Sequence, residues 1–251
     1  MKKIILSVFT VTAMMACKNS SENSERESEV KAEEKNEISS QDEDWQYLFD
    51  GKNADGWRAY NGEEGEGLPD GWIIEDKTLK SLGKGGDIGG DIVYGEKEFD
   101  EFELYLEWKI SPEGNSGVFY HVIEDEKYDA PYFAAPEYQI IDQLGFPQEL
   151  ESWQSIGGDY GMYDPKYNEE DLKEIGEWNS SRIRFTNEKV TYWLNGEKTL
   201  EFEPWSENWQ KRKEEGKWKD FPDYGKAKSG LIGLQDHGSF TWFRNIKIKE
   251  L

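Results

Sequence analysis

The chain has 251 residues and a formal net charge of −23, from 30 basic and 53 acidic side chains. That acidic excess argues against nucleic acid or anionic lipid head groups as main partners, and the length fits one domain of the larger all-β size or at most two small ones. A single cysteine, Cys17, rules out an intramolecular disulfide, so a core must supply the stability; aromatics make up 14% of the chain, with 11 Trp, most expected inside. An excess of Trp also suits a site that stacks sugar rings.

The N-terminus "MKKIILSVFTVTAMMAC" opens with Lys2 and Lys3, runs apolar from Ile4 and ends in small residues before Cys17. This is the layout of a secretory signal peptide over residues 1–16. A cysteine directly after Met14-Met15-Ala16 points to a lipoprotein signal, with Cys17 acylated as the mature N-terminus. Met14 stands where a lipobox more often has Leu, and an ordinary signal peptide with an incidental cysteine is the alternative. The expected location is the periplasm or cell surface, anchored by lipid to the outer membrane. The apolar run is too short to span a bilayer. From Lys18 to Asp44 there are four basic and ten acidic residues and no aromatic. Such a segment cannot bury enough apolar surface to order itself, so residues 17–44 are expected to be a disordered tether.

The folded domain is expected over residues 45–251. "GWIIEDKTLKSLG" reads as a hairpin turning at Asp76-Lys77. "FELYLEWKI" alternates, with Phe102, Leu104, Leu106, Trp108 and Ile110 on one face, as a half-buried strand does. "GVFYHVI" and "EYQIID" are further strands; "RIRF" leads to "VTYWLNGEKTLEF", where Asn195-Gly196 is a strong hairpin signal. "LIGLQ" and "TWFRNIKIKEL" close the chain. Only "NEEDLKEIGEW" and "WSENWQKRKEEGKWKDF" read as short helical excursions. Many short strands without βαβ alternation predict an antiparallel sandwich or jelly roll.

Three polar stretches could carry chemistry. Asn115, Ser116 and Gly117 sit where a loop enters a strand, as plain turn chemistry would also place them. His121 follows on that strand, in phase with Phe119 and Ile123, where a hydrogen-bonded wall residue is the commoner role. Glu137 and Gln139 share one face of their strand, opposite Tyr138 and Ile140. A carboxylate beside a carboxamide suits an open sandwich face that binds hydroxyl-rich ligands, or a merely solvated face. Asp142 ends the strand and could sit on a loop rim. In "LQDHGSFTWFRN", Gln235, Asp236, His237 and Gly238 interrupt two apolar strands, and Arg244-Asn245 breaks the phase of the second. A polar hairpin turn is the bland reading, yet such a turn needs no histidine. No zinc, EF-hand, Gly-x-Ser-x-Gly or dinucleotide motif is present.

Taken in order, "LFDGKNADGW", "NSGVFYHV", "PEYQIID", "GEWNSSRI", "YWLNG", "FPDYGKAKSGLIGLQDHG" and "FRNIKIKEL" resemble the 3-keto-disaccharide hydrolase domain family, across the whole folded part. The resemblance implies a concanavalin-like jelly roll acting on 3-keto-glycosides, whose C3 hydroxyl a separate dehydrogenase has oxidised. A C3 ketone acidifies the C2 proton; its removal lets the C1 oxygen leave by β-elimination, and water can add back. That needs a base, an acid and a donor at the C3 oxyanion. Matched to the family's polar motifs, Glu137 or His237 is implied as base or acid. Asn115, Ser116, Gln139, Asp142, Asn179, Asp236, Arg244 and, on the reading above, His121 would bind substrate, with Arg244 or Gln139 at the oxyanion. No cofactor is implied; a divalent cation on Glu137, Asp142 and His237 is conceivable without a supporting motif. The rivals are a non-catalytic carbohydrate-binding module, an ordinary endo-glucanase and an adhesion lipoprotein. The glucanase would want an E-x-D-x-x-E strand, and Gln139 stands where that Asp would be.

Overall fold

A computed structural model describes residues 44–85 and 90–251. The expected signal peptide, Cys17 and the tether up to residue 43 lie outside the described residues. The strands in chain order are β1 (Gln46–Phe49), β2 (Trp57–Ala59), β3 (Trp72–Glu75), β4 (Thr78–Leu82), β5 (Ile92–Phe99), β6 (Phe102–Ile110) and β7 (Asn115–Val122). They continue as β8 (Glu137–Ile141), β9 (Asn179–Phe185), β10 (Val190–Leu194), β11 (Glu197–Phe202), β12 (Gly230–Leu234) and β13 (Phe240–Glu250). All pairings between them are antiparallel. The large sheet runs β11-β10-β9-β6-β13-β4-β3, with β1 also on β13, and the small sheet runs β2-β5-β12-β7-β8. The architecture is an antiparallel jelly-roll sandwich.

Local sequence explains much of this. β6 buries every second residue from Phe102 to Ile110, as its alternation predicts. The β3–β4 turn places Asp76 and Lys77 at φ 47° and 62°, and the β10–β11 turn places Asn195 and Gly196 at φ 53° and 91°. Two successive positive φ values make the tight hairpin turn whose twist matches the strands. The break in phase at Arg244-Asn245 is a β-bulge: the register on β6 shifts between Arg244 and Lys247, and Asn245 takes φ 50°. Phe243 and Ile246 are therefore both buried, three residues apart. A second bulge lies at His121, where the β12–β7 register shifts and φ is 53°.

The main core fills the space between the sheets, with Leu104, Leu106, Ile183 and Phe243 from the large sheet and Val118, Tyr138, Ile140 and Ile232 from the small one. On β8, however, Glu137 and Gln139 are buried too, on the opposite face. A roof covers them. Residues 157–160 hang from the free edge of β8 through Gly157 N–H to Gln139 O (2.9 Å), Gln139 N–H to Gly158 O (3.0 Å) and Tyr160 N–H to Glu137 O (3.0 Å). Covering an edge in this way also removes an aggregation-prone ladder. The charged stretch after β11 completes the roof as helix α1 (Glu207–Glu215) and a 3₁₀ turn, Lys217–Asp220. Ser206 Oγ caps α1 by accepting from Trp209 N–H. Trp218 is buried, stacks on Tyr224 at 4.2 Å and donates to Tyr160 O at 2.9 Å. Burying such a ring contributes about 2–3 kcal/mol, enough to hold the 3₁₀ turn over β8.

Candidate active site

Antiparallel register decides which side chains meet on the outer face of the small sheet. Gly117 pairs with Gln139 and Phe119 with Glu137; Gln235 N–H donates to Gly117 O at 3.0 Å. Asn115, Glu137, Gln139 and Gln235 therefore floor one cavity of about 300 Å³. Tyr132, Tyr160, Lys217, Trp218 and Phe221 form its roof, and His237 stands at its side.

The polar balance of this cavity is unusual. Asn115 Oδ1, Gln139 Oε1 and Gln235 Oε1 are buried without a hydrogen-bond partner. Each such atom costs about 1–3 kcal/mol of lost hydration. Gln139 Nε2 donates to Gln154 O at 3.2 Å, which fixes its amide. Three open acceptors on residues that line one cavity suit a ligand carrying several hydroxyl donors.

Glu137 is 3% exposed. Its carboxyl lies directly over Gly117, where any Cβ would overlap its Oε1. Burial pushes its pKa well above the carboxylate range, the negative charges of Asp91 and Asp159 add to this, and the Lys217 ammonium opposes it. That direction favours the protonated form, the form a general acid needs. Lys217 is displaced in the reciprocal sense: burial lowers its pKa and Glu137 raises it. Its Nζ lies 4.9 Å from the Tyr160 ring centroid and 5.3 Å from that of Trp153.

The His237 loop is clamped from behind. Asp236 Oδ2 accepts from Lys84 N–H (3.0 Å) and Gly85 N–H (2.9 Å), and Oδ1 from Gly238 N–H (3.1 Å). Asp236 N–H donates to Asp91 Oδ1 at 2.9 Å. Gly238, at φ 81°, supplies the turn. Asp91 is 5% exposed, and burial, with the charge of Asp236, lifts its pKa to about 7 against that hydrogen bond.

The cavity joins a buried carboxyl to a lysine, a histidine and open carboxamides. The 3-keto-α-glucoside-1,2-lyase-like domain matches residues 44–249, nearly the whole described structure. The chain belongs to that family. A 3-keto-disaccharide hydrolase of Bacteroides thetaiotaomicron is 34% identical over 229 residues, covering 81% of this chain and 77% of its own. A solved Parabacteroides distasonis structure, provisionally assigned as a glycosyl hydrolase, is 40% identical with a TM-score of 0.76, covering 84% of this chain and 96% of its own. A second from that organism is 27% identical with a TM-score of 0.62, covering 82% and 99%.

Within this 3-keto-α-glucoside-1,2-lyase-like domain the expected site residues divide. Asn115, Glu137, Gln139 and His237 line the cavity together. Ser116 lies behind it, donating from Oγ to Gln235 O at 2.8 Å. Asp236 is equally internal, as the loop clamp described above. Asp142 and Asn179 line a separate cavity of about 440 Å³. There Asp142 accepts from Glu113 and Gly145 N–H, and Asn179 Oδ1 accepts from Asn195 Nδ2. Arg244 belongs to the large sheet, paired with Glu107 at 2.6 Å and stacked on Trp178. His121 is held by Asp100 O at 2.8 Å and packs against Phe102 and Phe185 in the core; burial lowers its pKa. Each of these six lies outside the lining of that cavity because its side chain already serves a turn, a loop clamp, a bulge or the core. The suggested cation trio of Glu137, Asp142 and His237 is split between two cavities, and among the described residues no three His, Cys, Asp or Glu converge as metal ligands.

Lys217, Tyr160, Trp218, Phe221 and Tyr132 were not legible as site residues. Lys217, Trp218 and Phe221 come from the charged stretch that reads as a helical excursion, and Tyr132 and Tyr160 from segments between the expected strands. Gln235 belongs to the polar break between the two apolar strands, and nothing in its residue type marks it as a cavity lining.

Proposed function

We propose that this cavity cleaves 3-keto-glycosides, with Glu137 as general acid, His237 as base and Lys217 as the cation that stabilises the enolate. The observation that carries this reading is the buried Glu137, which shares with Lys217 a cavity of open hydroxyl acceptors. The naming of the 34% identical relative supports the substrate class.

The His237 imidazole removes the C2 proton, and the electron pair moves onto the C3 oxygen as an enolate. Lys217 offsets that charge in a site largely closed to water, where such stabilisation is strongest. The pair then returns: the C3 carbonyl reforms, C1 and C2 become doubly bonded, and the C1–O bond breaks. Glu137 donates its proton to the departing oxygen. The lyase product is an unsaturated ketone. Addition of water at C1, with return of the proton to C2, completes hydrolysis. Asn115, Gln139 and Gln235 accept from sugar hydroxyls, and Trp218 and Tyr160 offer ring surface. No electrons are gained or lost overall, so the step needs no redox cofactor. The N-terminal pattern ending at Cys17 goes with a lipid-anchored protein of the periplasm or cell surface.

A carbohydrate-binding module would have no use for a buried carboxyl beside a lysine and a histidine in one cavity, which favours the enzyme. The test is release of a chromogenic aglycone from a 3-keto-glucoside beside the unoxidised glucoside, with and without chelator. Release from the keto sugar alone, lost in Glu137→Gln and His237→Asn, supports the reading. Equal binding of both sugars with release from neither replaces it with the binding module.

A further inference from the structure

Four partly exposed tryptophans, Trp45, Trp178, Trp193 and Trp242, lie on or beside the outer face of the large sheet. The catalytic cavity, on the outer face of the other sheet, uses none of them. One of them, Trp193, begins a row that is ordered by register. Trp193 pairs with Arg182, Arg182 with Tyr105, Tyr105 with Lys247, and Lys247 with Tyr47. Aromatic and cationic side chains therefore alternate along one row across β10, β9, β6, β13 and β1. At the usual strand spacing this row is about 19 Å long, enough for several sugar rings end to end.

The row floors an open cleft of about 520 Å³, larger than the catalytic cavity. Its rings are pinned by the cations between them. The Arg182 guanidinium lies 3.7 Å from the Trp193 centroid, and Lys247 Nζ lies 5.0 Å from Trp45 and 5.6 Å from Tyr105. A pinned ring loses little entropy when a ligand stacks on it. Tyr47 is 53% exposed, a large ring presented to solvent.

Charge decides the class of ligand. Glu103 binds both Arg182 (3.3 Å) and Arg184 (3.0 Å), and Glu107 binds Arg244 at 2.6 Å. Within the cleft itself the carboxylates of Glu103 and Glu107 balance the Arg182 guanidinium and the Lys247 ammonium, in a chain of net charge −23. A polyanion would find little attraction here. Rings for the apolar faces of sugars, with carboxylates and guanidinium groups for hydroxyls, fit an uncharged glycan instead.

We infer that the outer face of the large sheet is a second, non-catalytic carbohydrate-binding surface for a neutral glycan chain. It would hold a polymeric or surface-bound glycan while the catalytic cavity on the other sheet works on small oxidised glycosides.

The test is affinity electrophoresis of the full chain in native gels containing soluble starch, laminarin or xylan, with dextran sulfate as the charged control. At least one neutral polysaccharide should retard the protein, and dextran sulfate should not. Tyr105→Ala combined with Trp193→Ala should reduce the retardation at least tenfold in apparent affinity, with turnover of a small 3-keto-glucoside unchanged. Trp193→Phe, which keeps a ring, should restore most of it and guards against a folding defect. Glu137→Gln should be retarded like the wild type, separating this surface from the cavity. No retardation by any neutral polysaccharide would overturn the inference. So would retardation abolished by Glu137→Gln or Trp218→Ala, or concentration-dependent dimerisation as the only property that the paired substitution removes.

Discussion

Asp91→Asn tests the electrostatics beneath the His237 loop. Asp91 is 5% exposed, and its pKa is lifted from 3.8 to about 7. A carboxyl whose folded pKa is raised binds more protons folded than unfolded, so stability falls as pH rises between the two values. The penalty is absent below the unfolded pKa and complete above the folded one. At about 1.4 kcal/mol per unit, it grows by on the order of 2 kcal/mol from pH 5 to pH 7 and reaches roughly 4 kcal/mol above that. Asparagine keeps an oxygen to accept from Asp236 N–H and carries no charge. Urea unfolding at pH 5, 6, 7 and 8 should show the variant gaining on the wild type by about 2 kcal/mol across pH 5 to 7. A second readout follows, because the charge of Asp91 is second only to burial in raising the pKa of Glu137. The alkaline limb of kcat/KM should move to lower pH in the variant. Parallel stability curves for the two proteins would refute the reasoning, since Asp91 would then titrate alike folded and unfolded.

Lys217→Met should lower kcat by about 100-fold, the usual cost of one oxyanion-stabilising group. Because Lys217 holds the Glu137 pKa down, its removal should shift the alkaline limb of residual activity to higher pH; an unmoved limb would detach Lys217 from Glu137. Gly117→Ala places a Cβ against the Glu137 carboxyl. Activity should drop about 10- to 100-fold by misplacing the acid, and circular dichroism should show an intact fold. Ser116→Ala removes a buried hydroxyl that donates to Gln235 O, and urea titration should show a loss of about 1–2 kcal/mol.

Much of the fold was legible because its determinants are local. The alternation of Phe102 to Ile110 and the turns at Asp76-Lys77 and Asn195-Gly196 follow from side-chain period and from which residues tolerate positive φ. The short strands β1 and β2, and β5 with its interior Gly95 and charged Glu96-Lys97-Glu98, carry no such pattern; partners recruited from distant sequence make them strands. Phase breaks were ambiguous for a related reason. At Arg244-Asn245 a polar interruption marks a bulge, and at Asp236-His237 it marks a loop beside a cavity. The residue types alone do not distinguish an extra residue in a ladder from a functional side chain.

By itself the sequence determined the strand periods, two hairpin turns and the shared face of Glu137 and Gln139, because each depends on neighbours a few residues apart. Only the tertiary structure decided that this face is buried. The roof from residues 157–160 and 217–221 closes over β8, and that closure removes water from Glu137 and leaves three carboxamide oxygens open. A carboxyl's acidity depends on what lies around it in space. For Glu137 those groups are Asp91, Asp159 and Lys217, brought together by long-range register and loop packing that no local pattern encodes.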